Sequence, residues 1–309
     1  MRRRACTERH GRWRPSVWFG VLALAALAAA DSSAHADDAA QPAQSSASGA
    51  PSQSFAEAWF EASDAAKESQ PHWMTPIVTV TPRLEQEFRY DQNWQTRPAG
   101  VDLTNYGAGK GLELIPLPDT EIILGVPAYE TKQTPLTQAS GWADETLLLK
   151  YRLLSGNEES GNYILTAFMG VSIPTGSAPF TNHHAEYTPT LAGGKGWGTR
   201  DEGFDIQTTL AYTIPDADVH ALGKTLVWNT AFQAHLLEVL WPEIEVSATH
   251  FYDGANNGKE QVAITGGVIL GRFALGPRAR LIAGIGYQSP LTSFTTFGHT
   301  WLLTGRVAF

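Results

Sequence analysis

From about Thr79 to Phe309 the chain alternates apolar and polar side chains with a period of two. This period places successive side chains on opposite faces of a β-strand, so the chain is predicted to consist of half-buried strands. The pattern is clearest in "RLEQEFRY", "ADETLLLKYRLL", "GFDIQTTLAYTI", "LVWNTAFQAHL" and "EIEVSATHF". About twelve such segments, separated by turn clusters such as "SGNEESGN", are predicted between residues 76 and 309. That spacing, roughly 19–20 residues per strand and connection, is typical of a transmembrane barrel.

A soluble β-sandwich gives the same alternation, so the faces of the strands decide between the two folds. One face carries aromatic residues near the segment ends, as interfacial girdles do. They are Tyr90, Tyr151, Tyr212, Trp228, Trp241, Phe251, Tyr287 and Trp301. The opposite face carries charges in nearly every strand, which a dry sandwich core does not tolerate. The sequence therefore predicts a closed antiparallel transmembrane β-barrel of about 12 strands, an all-β fold.

The polar face is predicted to line the lumen of this barrel. Its residues are Arg83, Glu85, Glu87, Arg89, Asp144, Lys150, Arg152, Asp205, Gln207, Asn229, Gln233, His235, Glu243, Glu245, Arg280 and Arg306. Two roles are open for them. They can form ion pairs between neighbouring strands that stiffen the wall, or they can set the electrostatic selectivity of a pore.

The N-terminus reads as a secretory signal peptide over residues 1–36. A basic stretch with six arginines precedes the apolar run Val17–Ala30 and a small-x-small cleavage site, Ala34-His35-Ala36. An N-terminal anchor helix is the alternative, although a run of that length is short for a membrane span. Cleavage removes six arginines and two acids, which changes the net charge from −9 to −13. Such a chain has no basic surface for nucleic acid, so no nucleic-acid partner is expected.

Residues 37–75 are predicted to be a linker followed by a short amphipathic helix. "DDAAQPAQSSASGAPS" has the composition of a disordered linker. Ser54 and Glu57 form a capping-box pair, after which Phe55, Ala58, Trp59, Ala62 and Ala66 recur at helical spacing. We expect either a surface helix at the mouth of the barrel, or a partial plug or contact with a periplasmic partner. The barrel itself is predicted over residues 76–309.

Motifs for catalysis, metals and cofactors are weak in this sequence. "GGKGWG" (193–198) lacks the first glycine and the Ser or Thr of a phosphate loop, so it is interpreted as strand or turn backbone. His183, His184 and Glu186 are metal-ligand types, but adjacent residues on an extended chain point in opposite directions. His235 with Ser247 or Glu245 is a hydrolase-like set without an elbow motif. The chain is therefore predicted to be no enzyme and to need no cofactor. Its only cysteine, Cys6, lies in the predicted signal.

Several longer stretches resemble a known family. They are "GWADETLLLKYRLL" (141–154), "GVSIPTGSAPF" (170–180), "LAGGKGWGTRDEGFDIQTTLAYTIP" (191–215), "WNTAFQAHLLEVLWPEIEVSATHFYDG" (228–254) and "VILGRFALGPRARLIAGIGYQSPLTSF" (268–294). They are similar to the outer-membrane transporter family named for the meta-pathway of phenol degradation. The resemblance covers roughly residues 75–309. It implies an outer-membrane barrel encoded near genes for breakdown of aromatic or hydrophobic compounds, and it brings no catalytic residues or agreed substrate.

The last eleven residues, "HTWLLTGRVAF", suit the closing strand of such a barrel. Trp301, Leu303, Val307 and Phe309 are expected to face lipid and to act as the signal for the barrel insertion machinery, while Thr304 and Arg306 face the lumen. The predicted location is the outer membrane of a Gram-negative bacterium, in contact with its lipid. The predicted function is passive transport of a small-molecule solute, hydrophobic or aromatic. The alternatives are a non-transporting barrel, either structural or adhesive or a lipid-modifying enzyme, and a soluble periplasmic β protein.

Overall fold

A computed structural model describes residues 54–309 of the chain. The predicted signal peptide, residues 1–36, and the predicted linker up to residue 53 lie outside the described residues. The described part consists of one N-terminal helix and twelve long antiparallel strands. No helix within residues 54–309 is long and apolar enough to cross a membrane.

The predicted helix is present as α1, Phe55–Glu68. The capping box is confirmed, since Glu57 N donates to Ser54 Oγ at 3.3 Å and Ser54 N donates to Glu57 Oε2 at 2.8 Å. One face of α1 packs against the barrel, where Ser63 and Ala66 are buried. The indole of Trp59 donates to Ile115 O at 2.7 Å on that side. The helix therefore lies at one mouth of the barrel rather than inside it.

The strands are named β1 to β12 in chain order, and β2, β3 and β4 each consist of two segments. Their bounds are β1 Glu87–Arg97, β2 Val101–Gly107 and Gly111–Leu117, β3 Thr120–Gly125 and Tyr129–Gln133, β4 Gln138–Trp142 and Glu145–Gly156, β5 Tyr163–Ile173, β6 Glu186–Gly198, β7 Gly203–Pro215, β8 Lys224–His235, β9 Leu240–Tyr252, β10 Glu260–Ala274, β11 Arg280–Pro290 and β12 Thr300–Ala308. Two short helical turns, Glu158–Ser160 and Val219–Leu222, lie in connections.

Each strand pairs with the next along the chain, and β12 pairs with β1 to close the sheet. The closing register runs from Glu87 opposite Ala308 to Gln95 opposite Thr300. A sandwich has edge strands, whereas this sheet has none, so the predicted closed barrel of 12 strands is confirmed. One predicted segment is wrong at its start, because the alternation from Thr79 is not a strand until Glu87.

The two ends of the barrel differ in their connections. At one end, named here the turn end, residues 118–119, 157–162, 199–202, 236–239 and 275–279 join the strands, and the C-terminus and α1 lie there. At the other, the loop end, connections are longer and include residues 174–185, 216–223 and 291–299. Short turns at one end and longer loops at the other are typical of outer-membrane barrels.

The outward face is apolar around the whole circumference. Large apolar side chains such as Leu149, Leu210, Ile244, Ile285 and Leu303 are exposed on their strands. Most predicted girdle residues also point outward, and Trp301 on β12 is 52% exposed. Phe251 and Trp241 are the exceptions. Phe251 has the inward parity of Glu245 on β9 and packs on Phe294 with ring centroids 5.7 Å apart. The placement of Trp241 on the outward face is wrong as well, because it is buried in the interior and packs on His235 with ring centroids 4.5 Å apart. Its parity along β9 is that of Glu243, which also points inward.

Candidate functional site

The interior of the barrel holds a segment of its own chain. Between α1 and β1, residues 70–86 run inside the barrel, and every one of them is buried except the half-buried Val78 and Val80. This segment, named here the plug, is a hairpin without a β-ladder. Gln70 joins its two arms, because its side chain donates to Leu84 O at 2.7 Å and accepts from Leu84 N at 2.9 Å. The hairpin enters and leaves at the turn end and turns at Ile77–Thr79, the plug tip.

Two predicted wall residues belong to the plug instead. Arg83 and Glu85 are not lumen-lining side chains of a strand, because β1 begins at Glu87. The Arg83 guanidinium crosses the hairpin and donates to Pro71 O at 2.6 Å and to Trp73 O, and it pairs with Glu85 at 2.8 Å. The alternation in "RLEQEFRY" therefore runs through a segment that is buried on both sides. Periodicity alone does not separate such a segment from a half-buried strand.

Main-chain groups of the plug have few partners within the plug, and buried polar groups need partners. At the tip, two carboxylates of β9 supply them. Glu243 accepts from Ile77 N at 3.0 Å, and Glu245 accepts from Val78 N at 2.7 Å and Thr79 N at 2.5 Å. Charge-assisted bonds of this kind are about twice as strong as neutral ones. Glu243 and Glu245 thus hold three successive amides of the tip.

Cationic side chains of other strands take up the plug carbonyls. Arg306 of β12 donates to Thr75 O at 2.6 Å and Pro76 O at 3.0 Å. Arg89 of β1 donates to Ile77 O at 2.9 Å and pairs with Asp91 at 2.8 Å. The remaining donors are Arg272, which contacts His72 O and Trp73 O at 2.7 and 2.9 Å, and Lys150, which contacts Arg83 O at 3.1 Å and Glu121 at 3.0 Å.

Neutral polar side chains complete these contacts on the neighbouring strands. Gln207 accepts from Thr81 Oγ1 at 2.7 Å and donates to Met74 O at 2.8 Å. Gln207 also donates to Asp205 at 3.0 Å and to Gln233 at 3.2 Å, and Gln233 in turn donates to Glu243 at 2.5 Å. The inward polar residues of β7, β8 and β9 are therefore connected into one network that ends on the plug.

Glycines form seats for the two large side chains of the plug. An ideal Cβ added to Gly194 would lie 2.5 Å from the Trp73 ring, and Gly196 contacts the same indole. Trp73 donates from Nε1 to Asn162 Oδ1 at 2.9 Å. The "GGKGWG" stretch is strand backbone of β6, as predicted, and its missing side chains make room for Trp73. Gly267 gives the corresponding space to Ile77.

Substitution of Gly267 tests the seat of the plug tip. A Cβ at Gly267 would lie 2.6 Å from Ile77 Cδ1, whereas nothing lies within 4 Å of one at the outward-facing Gly266. Overpacking of a buried site costs about 1–3 kcal/mol. We expect Gly267→Val to lower the free energy of unfolding by about that amount. The matched control, Gly266→Val, is expected to leave it unchanged in a urea titration of the refolded protein. Equal losses in both variants would contradict the seat.

Polar contacts also hold the base of the plug at the turn end. His72 donates from its main-chain N to Glu158 Oε1, and its ring Nδ1 lies beside Glu158 Oε2, both at 2.8 Å. Burial opposes the charged carboxylate, but the side-chain and main-chain hydrogen bonds with His72 outweigh it and lower the pKa of Glu158 to about 2. Around α1, Asp64 pairs with Arg278 at 2.9 Å and Glu68 with Arg200 at 3.3 Å, both pairs on the surface.

The lowered pKa of Glu158 fixes the pH dependence of this contact. A carboxyl whose folded-state pKa is lowered stabilises the fold above its unfolded value, and that contribution is lost as pH falls toward the folded value. We expect Glu158→Gln to destabilise the plug base at pH 7. The difference from the unsubstituted protein should shrink steadily as pH falls below about 4. Urea titrations at pH 7 and pH 3 measure it, and a difference that is equal at the two pH values would contradict this role.

The remaining predicted lumen residues lie away from the plug tip. Glu87 is buried on β1, opposite Glu113 in the register. Arg152 pairs with Asp119 at 2.8 Å and donates to Ala66 O of α1 at 2.9 Å, and Arg280 donates to Gly276 O and Ala279 O in a turn. Asp144 accepts from Gly176 N and Asn182 N at 2.9 and 3.0 Å, and so anchors the loop 174–185.

The sets considered for catalysis and metal binding do not assemble. His235 lies beside Trp241 at the turn end, whereas Ser247 is opposite Asn229 further along β9 and donates to its Oδ1 at 2.6 Å. His184 lies near Asp216 and Asp218, at 3.4 and 3.3 Å, while Glu186 accepts from Asn182. Within residues 54–309, no three His, Cys, Asp or Glu side chains converge as metal ligands.

Sequence reasoning offered a partial plug only as an alternative for residues 37–75, and it missed the plug at residues 70–86 and the residues that serve it at turns. Arg272, a main partner of the plug carbonyls, has a φ of 64° at a bulge of β10, so the alternation there does not give its direction. The segment itself carries a signal, because it holds three prolines, Pro71, Pro76 and Pro82, whereas strand interiors disfavour proline and those of this barrel hold single ones, such as Pro189 and Pro242.

The barrel is similar in fold to several solved structures of low sequence identity. It is similar to the NanC porin, with 11% identity over 72% of this chain and 98% of that one and a TM-score of 0.45. It is similar to an outer membrane channel from Pseudomonas putida F1, with 13% identity over 75% and 96% of the two chains and a TM-score of 0.47. It is also similar to the translocator domain of the autotransporter NalP from Neisseria meningitidis, with 10% identity, 72% and 87% coverage and a TM-score of 0.48. No protein-family model matches the chain, and no curated protein matches it in sequence.

Proposed function

We propose that this chain is an outer-membrane channel for the passive movement of small, hydrophobic or aromatic solutes, and that the plug keeps it closed. The observation that carries the proposal is the apolar exterior around a closed barrel whose interior is charged. In water such an exterior would be a large exposed apolar surface, which soluble proteins avoid. In a bilayer it is the lipid-facing side of a transmembrane barrel.

The contacts of the plug favour a channel that can open, rather than a barrel that is permanently filled. The tip is held by side chains on long strands rather than by a β-ladder, and each such contact can be exchanged for water when the tip moves. Intramolecular hydrogen bonds to charged groups contribute only about 1.5–3 kcal/mol each in net terms. Trp73, Met74 and Ile77 of the plug also pack in an apolar cluster with wall residues that include Trp241 and Ile269, so release of the whole plug costs more than displacement of the tip.

Location and transport are tested separately. A barrel of this kind is expected to stay with the outer-membrane fraction through a high-salt wash and to migrate faster on gels when unboiled. Proteoliposomes containing the full chain should then admit small aromatic solutes faster than protein-free liposomes and faster than a sugar of the same mass. Extraction by high salt would contradict the location, and equal rates for all solutes would contradict the proposed selectivity.

The C-terminus supplies a test of assembly. Trp301 and Leu303 point outward, Thr304 and Arg306 are buried inside, and Phe309 N donates to Gln86 O at 3.0 Å. We propose that Trp301, Leu303, Val307 and Phe309 form the segment by which the barrel insertion machinery recognises the chain. Deletion of Phe309 is expected to reduce the heat-modifiable outer-membrane form several-fold in cells. The same deletion should leave refolding into detergent largely intact. Normal insertion in cells would contradict this role.

A further inference from the structure

A cavity of about 240 Å³ lies between the plug and strands β1 to β6. Its apolar lining includes Val80 of the plug with Ile123 and Leu148 of the wall. An apolar cavity of about 150 Å³ is sufficient to bind benzene, so this one has room for a benzene ring with a short polar substituent. A second cavity of about 240 Å³, lined by Ile77, Val78 and Gln288, adjoins it, since Lys110 lines both.

Four charged side chains line the first cavity, and two of them already have ionic partners. Arg89 pairs with Asp91, and Lys150 pairs with Glu121. Lys110 and Glu113 differ, because neither side chain forms a salt bridge or hydrogen bond within residues 54–309. Lys110 is half-buried with the carboxylates of Asp91 and Glu113 in its surroundings, and the buried Glu113 lies opposite Glu87 in the strand register. Lys110 lies in the break between the two segments of β2, and Glu113 lies three residues later on the second segment. The cavity thus has one ammonium and one carboxylate that lack a salt-bridge partner, beside an apolar wall.

A buried carboxylate and a half-buried ammonium without salt-bridge partners are costly, so a ligand that supplies both counter-charges is favoured over one that supplies a single charge. An anion would pair with Lys110 but would bring its charge toward Glu113, and a cation would do the reverse. We propose that this cavity binds apolar zwitterions, that is, α-amino acids with a hydrophobic or aromatic side chain. This inference rests on the proposed function. The ligand carboxylate contacts Lys110, its ammonium contacts Glu113, and its side chain packs on Val80, Ile123 and Leu148.

A ligand in this cavity would also contact the plug, whose movement is proposed to open the channel. Thr75, Val80 and Thr81 of the plug form part of the cavity lining, so a ligand there contacts the plug and the wall together. A solute that binds the closed state beside the plug is held next to the path that plug movement would open.

Four probes with the same phenyl group separate the charge requirements: L-phenylalanine, phenylacetate, phenethylamine and 2-phenylethanol. We expect calorimetric titration of the full chain in detergent at pH 7 to give L-phenylalanine the lowest Kd, by roughly tenfold or more over each of the other three. Phenylacetate binding as tightly as L-phenylalanine, or four equal Kd values, would overturn the proposal.

Variants assign the two charges. Lys110→Met should raise the Kd of L-phenylalanine to that of phenethylamine, and Glu113→Gln should raise it to that of phenylacetate. Lys132→Met removes the same charge at a lysine that lines neither cavity, and it should leave all four Kd values unchanged. Heat-modifiable migration shows that each variant is folded. Binding is measured without transport, so the two proposals can fail separately. If the protein conducts in a plug-dependent way but does not bind L-phenylalanine, only this inference is overturned. If the barrel never conducts, the proposed function is overturned.

Discussion

Replacement of plug residues 71–83 by a short Gly-Ser linker is expected to convert a nearly silent barrel into a steadily conducting one. Residues 70–86 are buried inside the barrel, and we expect them to prevent hydrated ions from crossing that level. Without the plug, the side chains that held it would line a water-filled lumen, where charge costs little. We expect the single-channel conductance in planar bilayers to rise on the order of tenfold or more.

A control separates the plug from the N-terminus in general. Truncation up to residue 53 leaves α1 and the plug in place, so it should leave the conductance at the level of the full chain. The plug-replaced variant must also stay heat-modifiable, which we expect because no plug residue takes part in the ladder from β1 to β12. A folded, plug-replaced barrel that conducts no better than the full chain would contradict the closed state.

The second large effect is expected at Glu245, which accepts from two successive amides of the tip. Glu245→Ala leaves Val78 N and Thr79 N without acceptors, and an unsatisfied buried donor costs about 1–3 kcal/mol. A cost of about 2 kcal/mol raises the fraction of barrels with a displaced tip by roughly thirtyfold. The expected result is a matching rise in open probability, with the open conductance unchanged.

Ser247→Ala is the matched control for that substitution. Ser247 is the next inward residue of β9, and its hydroxyl contacts Asn229 rather than the plug. It should leave the open probability as it is, and it removes the serine of the hydrolase-like set at the same time. Equal rises in both variants would mean that strand disturbance, and not loss of the tip contacts, opens the channel.

Most of the barrel could be predicted from sequence because alternation and closure are local and repetitive properties. The period of two specifies a strand and its faces, and "HTWLLTGRVAF" ends in mid-alternation, as a strand paired on both sides can. The number of strands followed from the spacing of turn residues. Alternation indicates only whether a residue is buried. Inside this barrel the inward side chains of the wall and the residues of the plug are both buried, so alternation does not distinguish them.

The site could not be predicted for the same reason. Glu85 and Glu87 follow one alternation, yet one belongs to the plug and the other to β1. The wall charges did not reveal their role either, because Glu243, Glu245 and Arg306 bind main-chain groups, which every residue carries. The glycines did not indicate the plug either, since the need for a glycine at position 194 is evident only when Trp73 is known to pack against it. Contacts between a backbone and distant side chains leave no period in the sequence.

A reversible cross-link between the plug and the wall tests whether movement of the plug opens the channel. Thr81 Oγ1 and Gln207 Oε1 lie 2.7 Å apart, and Cys6 is the chain's only native cysteine, so Thr81→Cys with Gln207→Cys in a Cys6→Ala background gives one reactive pair. After treatment with a short bis-methanethiosulfonate, we predict that channel openings disappear, and that they return when a reductant is added to the same bilayer. Openings that persist in the cross-linked protein would show that solutes do not pass where the plug lies, and would contradict the account.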